Sequence, residues 1–309
     1  MKRLGIAFLF ACLAGIGATA APRSSVLFIG NSFTYGHGSP VRFYRHDTVT
    51  DLNSQGIGGV PALFKVLTSE AGLDYDVFVE TQPGSGLEFH LNERAGVIGR
   101  RPWDIVVMHG QSMLDNDKPG DPSKLIATAK QMAEFMRARN PRVELHMTAT
   151  WSRADQTYPK NGHWFGQPIE AMARDVRKAY DTAAAGAGAK TVIPLGEAWL
   201  RAIRTGVADA NPYDGIEAGK LDLWTWDHYH ASSYGYYLEA LMVFGDVTGR
   251  DPRSLGETEC AAFELGFEPR ETKALQQVAF DELSAAGRVA ASPLVLPKAV
   301  DAQRCTVGR

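Results

Sequence analysis

The sequence predicts a three-layer α/β/α protein built on a mostly parallel, five-stranded central sheet. Short apolar runs alternate with longer segments of helical periodicity, as a sheet covered by helices on both faces requires. The 309 residues, 45% hydrophobic and 22% charged, are enough to bury a substantial core and exclude disorder and fibrous repeats. No internal repeat or low-complexity linker interrupts the alternation.

Ser25 to Gly30 (SVLFIG) reads as the first buried strand, and Pro61 to Ala71 as a helix. Tyr75 to Thr81, Trp103 to His109, Val143 to Thr150 and Lys190 to Leu195 read as the remaining strands. Between them, Leu87 to Ile98, Pro122 to Arg139 and Pro168 to Ala185 have helical length. In the second of these, Ile126, Ala129, Lys130, Ala133 and Met136 recur every three or four residues, as a helix lying on a sheet demands. A helix over Ser232 to Val247 follows the loop Asp227-His228-Tyr229-His230. Beyond Asp251 the chain reads as a tail with one more helix, Glu271 to Ala286, and an apolar, proline-punctuated stretch from Ser292 to Val300.

At the amino terminus, Met1-Lys2-Arg3 precedes the apolar stretch Leu4 to Ile16 and the small residues Ala18-Thr19-Ala20. This is the pattern of a cleaved secretory signal peptide, and the stretch is shorter than the ~20 apolar residues of a spanning helix. The expected organisation is therefore a signal peptide at 1–20, a main domain at 21–250 and an extension at 251–309 packed on it. The product is expected to be secreted or periplasmic, without membrane attachment once the signal is cleaved. Of the three cysteines, Cys12 leaves with the signal. Cys260 and Cys305 remain for an oxidising compartment, where a bridge between them is the expected state. The formal charge of -3 does not suit nucleic acid or an anionic membrane as partner, which points to a small or neutral one. Oligomeric state is not legible.

In an open parallel sheet, ligands sit at the carboxyl ends of the strands, and the loop after the first strand here is Gly30-Asn31-Ser32-Phe33. Ser32 is a candidate nucleophile there; it could equally be a helix N-cap. Near the other end, Asp227 lies three residues before His230, a spacing that lets the carboxylate reach Nδ1 and leave Nε2 free to accept a proton from a serine. A zinc site from Asp227, His228 and His230 lacks further ligands in the sequence, so neither metal nor cofactor is expected. Ser112, in Gly110-Gln111-Ser112, is a competing nucleophile of the Gly-x-Ser kind, lacking the second glycine.

On these blocks the chain resembles the SGNH, or GDSL-type, hydrolases. Val26 to Phe33 resembles the family's first block with Gly-Asn-Ser for the commoner Gly-Asp-Ser, and Asp227 to His230 resembles its last. Gln82 to Glu88 resembles the glycine loop that lends a backbone N–H to the oxyanion hole. Val106 to Ser112 stands where the family carries an Asn, and offers Gln111 instead, as in a little-characterised bacterial branch with Gln-x-Ser. The resemblance implies a flavodoxin-like fold, a triad of Ser32, Asp227 and His230, and an oxyanion hole from Ser32, Gly84 (or Gly86) and Gln111. Asn31 and Phe33, beside the serine, are expected to face substrate.

Aromatic residues crowd two loops: Trp151, Tyr158, Trp164 and Phe165 in one, Trp224, Trp226 and Tyr229 in the other. Of these, Trp151, Trp164 and Trp226 are expected to bind substrate, because flat rings beside polar groups suit sugars. The expected activity is a serine esterase acting on short acyl esters, acetyl above all, of a small molecule or glycan. An O-acyltransferase with the same triad and a silent glycan-binding relative are the alternatives. The polar, glycine-rich segment Tyr35 to Gly59, with His37, His46, Asp47 and Asp51, is expected to shape the substrate site.

Overall fold

The computed structural model describes residues 24–292 together with Cys305. The leader expected at 1–20 and nearly all of the apolar stretch ending at Val300 lie outside these residues. The sheet contains β1 (Ser24–Gly30), β2 (Thr50–Asp51), β3 (Tyr75–Thr81), β4 (Ile105–Met108), β5 (Glu144–Thr148) and β6 (Thr191–Ile193), in the order β2-β3-β1-β4-β5-β6. Every pairing is parallel, so all strand carboxyl ends open on one rim.

Five strands follow the expectation in the flavodoxin-like order; the sixth, β2, is an addition at the edge. Its two residues pair only with Phe78 and Val79 of β3, too little apolar sequence to announce a strand within a polar loop. The helices are α1 (Ser32–Tyr35), α2 (Gly59–Glu70), α3 (Leu87–Glu93), α4 (Ala95–Ile98), α5 (Ser123–Arg137), α6 (Ala154–Thr157), α7 (Glu170–Ala187), α8 (Leu195–Arg204), α9 (Ser233–Thr248), α10 (Cys260–Glu264) and α11 (Pro269–Ala285). The helix expected over 87–98 breaks at Arg94, which serves as C-cap of α3 and N-cap of α4. α8 was not expected, although Leu195, Ala198, Trp199 and Ala202 mark one buried face at helical spacing.

Alternate residues of β1 feed two cores. Val26 and Phe28 join the core under α2, α8 and α9, to which α11 adds Leu275, Val278 and Leu283. Leu27 and Ile29 join the one under α5 and α7. Both faces of β1 are thus apolar, as a central strand buried on both sides must be. The tail is fastened to the first layer by Arg201 on Glu282 (2.8 Å), and within the tail a disulfide joins Cys260 and Cys305, whose Cα atoms are 5.4 Å apart. Among the described residues no helix is long and apolar enough to cross a membrane.

Candidate active site

The chain leaves β1 through Gly30, where a side chain has no room: a Cβ would lie 2.6 Å from His109 Nε2. Asn31 then caps α1, its Oδ1 accepting from Phe33 N at 3.1 Å, so the N-cap is Asn31 and not Ser32. Its Nδ2 donates to Ser85 O (2.9 Å) and Gly110 O (3.1 Å), tying together the loops that follow β3 and β4. Asn31 is therefore a buried clasp between loops, not the substrate-facing residue expected. Ser32 is the first residue of α1 and is only 5% exposed. Beneath this turn His109 shares a 2.7 Å hydrogen bond with Thr34, and burial pushes its imidazole down to about 4.

Across the rim, Asp227 and His230 form the expected pair, with His230 Nδ1 2.6 Å from Asp227 Oδ2. The other carboxylate oxygen accepts from Thr225 Oγ1 (2.8 Å), Tyr229 N (3.0 Å) and His230 N (2.9 Å). Burial pushes the carboxyl upward, but the hydrogen bonds from His230, Thr225 and the backbone outweigh it and hold Asp227 well below the usual carboxylate range. The turn closes because His228 takes φ +55, and its ring packs on Tyr213 (centroids 4.2 Å apart), away from His230's partners.

α9 holds the two halves together. The Tyr236 hydroxyl reaches Ser32 O (3.2 Å) and His37 O (3.1 Å), and Ser39 Oγ lies 2.9 Å from Ser233 Oγ. The Phe33 ring meets the His230 ring edge-on at 5.6 Å. Ser32 Oγ and His230 Nε2 share no hydrogen bond; Nε2 is buried without a partner among the described residues. A looser serine–histidine approach is usual before substrate binds.

His37 adds a group that the sequence placed only in a general loop. Its ring lies 4.3 Å from that of His230, and a ligand atom from each of His37, Asp227 and His230 lies within 4.8 Å of the other two. Burial, then the neighbouring His230, push its pKa below the ordinary histidine value, with Asp227 pulling the other way and Arg42 adding the least. Elsewhere in the 35–59 segment, His46 and Asp47 are exposed, and Asp51 accepts from Asn53 N, Gln55 N and Ile57 N within its own loop.

Gly84 has φ +68, a conformation that favours glycine, and its N–H has no partner among the described residues. Gln111 Nε2 donates to Gly84 O at 3.2 Å while its Oε1 accepts from Asn116 N at 3.0 Å, leaving one amide hydrogen uncommitted. The loop is braced from behind by Ser85 Oγ on Gln82 O (2.9 Å) and on His90 Nε2 (3.2 Å), with His90 Nδ1 on the fully buried Glu80. No sequence motif marked this Ser85–His90–Glu80 brace. A groove of about 400 Å³ runs between Gly84, Gln111 and the α3 residues Glu88, Phe89 and Asn92.

The aromatic expectations divide. Phe33 and Trp151 are stacked on each other (4.1 Å, 6°) and buried, with Trp151 continuing onto Trp199. Trp164 is also buried, its indole N–H on Asp175 at 2.8 Å. These three belong to the core and offer substrate no face, so they are withdrawn as binding residues. α8, through Trp199 on Trp151, and α7, through Asp175 on Trp164, supply contacts that loop position alone did not suggest. Trp226 is 79% exposed, next to Asp227. Ser112 accepts from Arg153 Nη1 at 3.3 Å, with no histidine bonded to it among the described residues. The Arg153 guanidinium in turn lies 3.4 Å over the Tyr229 ring.

No protein-family model and no curated protein matches the chain. Solved structures do. A DUF4886 family protein from Bacteroides uniformis is 21% identical, covering 87% of this chain and 98% of its own, at a TM-score of 0.62. A GDSL-like lipase candidate from Parabacteroides merdae is 14% identical, with 73% and 95% covered and a TM-score of 0.53. The acetyl xylan esterase AlAXEase is 15% identical, with 72% and 99% covered and a TM-score of 0.50. With its all-parallel sheet, its strand order and these likenesses, the chain has the SGNH, or GDSL-type, hydrolase fold.

Proposed function

We propose that the protein is a secreted serine esterase that removes short acyl groups, acetyl above all, from a carbohydrate. Residues 21–250 would form the catalytic domain and 251–309 an extension packed on it. The observation that carries the reading is the Asp227–His230 pair, whose Nε2 is buried and unpartnered among the described residues, with the His230 ring 5.6 Å from that of Phe33, the residue after Ser32.

Nδ1–H bonded to Asp227 leaves the lone pair on Nε2, the tautomer a general base needs. Ser32 Oγ attacks the ester carbonyl as its proton passes to His230 Nε2. The developing oxyanion is met by the N–H groups of Ser32 and Gly84 and the free amide hydrogen of Gln111. Collapse expels the alcohol, which takes the proton from His230, and water then releases the acyl-enzyme by the same route. Gly84 is preferred to Gly86 as donor because Gly86 caps α3, with the Glu88 carboxylate beside it.

The exposed indole of Trp226, adjoining the acid, suits a sugar ring, and the fold likeness to an acetyl xylan esterase supports the same substrate class. Release of p-nitrophenol from its acetate ester tests the chemistry. Ser32→Ala should remove it to within the background rate, and undiminished release by that variant would transfer the role to another residue.

A further inference from the structure

The sequence argued against metal because Asp227, His228 and His230 could not complete a zinc site. The fold changes the ligand set: His228 turns to Tyr213, and His37 arrives from the loop after α1. We propose that His37 and His230 form a binding site for a divalent transition metal of the Zn²⁺ class, and that occupation of this site shuts off the general base.

The geometry supplies the parts. His230 Nε2 is buried and unpartnered, and Asp227 holds Nδ1 from behind at 2.6 Å, the carboxylate–histidine arrangement that orients metal-binding imidazoles. His37 is half-buried, its ring centroid 4.3 Å from that of His230, and a ligand atom from each of the three residues lies within 4.8 Å of the others. Metal–nitrogen bonds of about 2.0–2.1 Å require the two nitrogens to draw closer. Among the described residues the His37 ring has one hydrogen bond, a 3.3 Å contact between Nδ1 and the Tyr35 hydroxyl, so a ring rotation serves. Two imidazoles select Zn²⁺, Cu²⁺ or Ni²⁺ over Mg²⁺ or Ca²⁺, which take oxygen ligands. The remaining positions would be filled by water. A metal on His230 Nε2 occupies the lone pair that would take the serine proton, so metal and catalysis exclude one another.

The shut-off rests on the esterase reading; the binding site does not. Calorimetric titration of the tag-free full chain with Zn²⁺ alone should show one equivalent bound in the micromolar range. Histidine NMR of the wild type should show the His37 and His230 rings shifting together. His37→Gln and His230→Gln should each weaken binding roughly tenfold or more, and Ser32→Ala should not. Zn²⁺ should suppress p-nitrophenyl acetate hydrolysis by the wild type, reversibly with chelator, while Mg²⁺ does not. No zinc bound by the wild type, or binding unchanged in both histidine variants, overturns the site. Zinc bound through these rings with hydrolysis unimpaired overturns the shut-off. Zinc bound without any Ser32-dependent hydrolysis leaves the site standing and removes the esterase reading.

Discussion

Asp227 is constrained on both oxygens, which makes one substitution unusually informative. Its Oδ1 accepts from two backbone N–H groups and Thr225, so an amide at this position must keep its oxygen there and turn its NH2 toward His230. Two donors then face each other unless His230 moves its proton to Nε2, the wrong tautomer for accepting one from Ser32. Asp227→Asn is expected to lower kcat by about 10³- to 10⁴-fold with little change in KM, and circular dichroism should report an intact fold. Retained turnover would mean that His230 is not the base. Gln111 has two potential jobs, clamping Gly84 and donating to the oxyanion. Donation predicts a fall in kcat of about a hundredfold or more in Gln111→Ala at nearly constant KM. A loss of thermal stability with kcat preserved would leave it the clamp alone. Both residues were legible in the sequence, the first from its three-residue spacing to histidine and the second from its place in the third block.

Where strands end, the connection between elements is made by Asn31. Its amide nitrogen faces two carbonyls, one in the loop after β3 and one in the loop after β4. In this chain an Asp there would set a carboxylate against Ser85 O and Gly110 O, and leave both carbonyls short of a donor. Asn31→Asp, although it restores the commoner Gly-Asp-Ser of the resembling family, should destabilise the fold by about 3 kcal/mol in urea unfolding. Esterase turnover should fall with it, since Ser32 and Gly84 are both adjacent to the clasp. Unchanged unfolding midpoints would show that the loops hold each other without it. Element assignment from the sequence succeeded where periodicity was long, as in α5 and α7. It assigned no helix over α8 and placed Leu195, the first residue of that helix, at the end of the preceding strand. It missed β2 because pairing with β3, not composition, makes those two residues a strand.

Over the whole molecule, the tail is joined to the body by Arg45 on Glu264 and by the α11 face in the first core, and the Cys260–Cys305 bridge closes the tail on itself. Bridging residues separated by 45 positions restrains the unfolded chain by up to ~4 kcal/mol of loop-closure entropy. Neither cysteine should react with a thiol reagent in denaturant without reductant, and reduction should lower Tm by about 5–15 °C. Two reactive thiols would reject the bridge. The sequence by itself determined the layered architecture, since periods of 3.6 and the compact apolar runs are local properties that any packing must respect. It also determined the candidate chemistry at Ser32, Asp227 and His230, because short spacing and position after a strand restrict what those side chains can reach. Tertiary structure alone decided that Trp151 and Trp164 are core, that Asn31 is a clasp and that His37 sits beside His230. These are contacts between segments distant in the chain, and burial and ring packing arise only once the intervening elements fold the segments against each other.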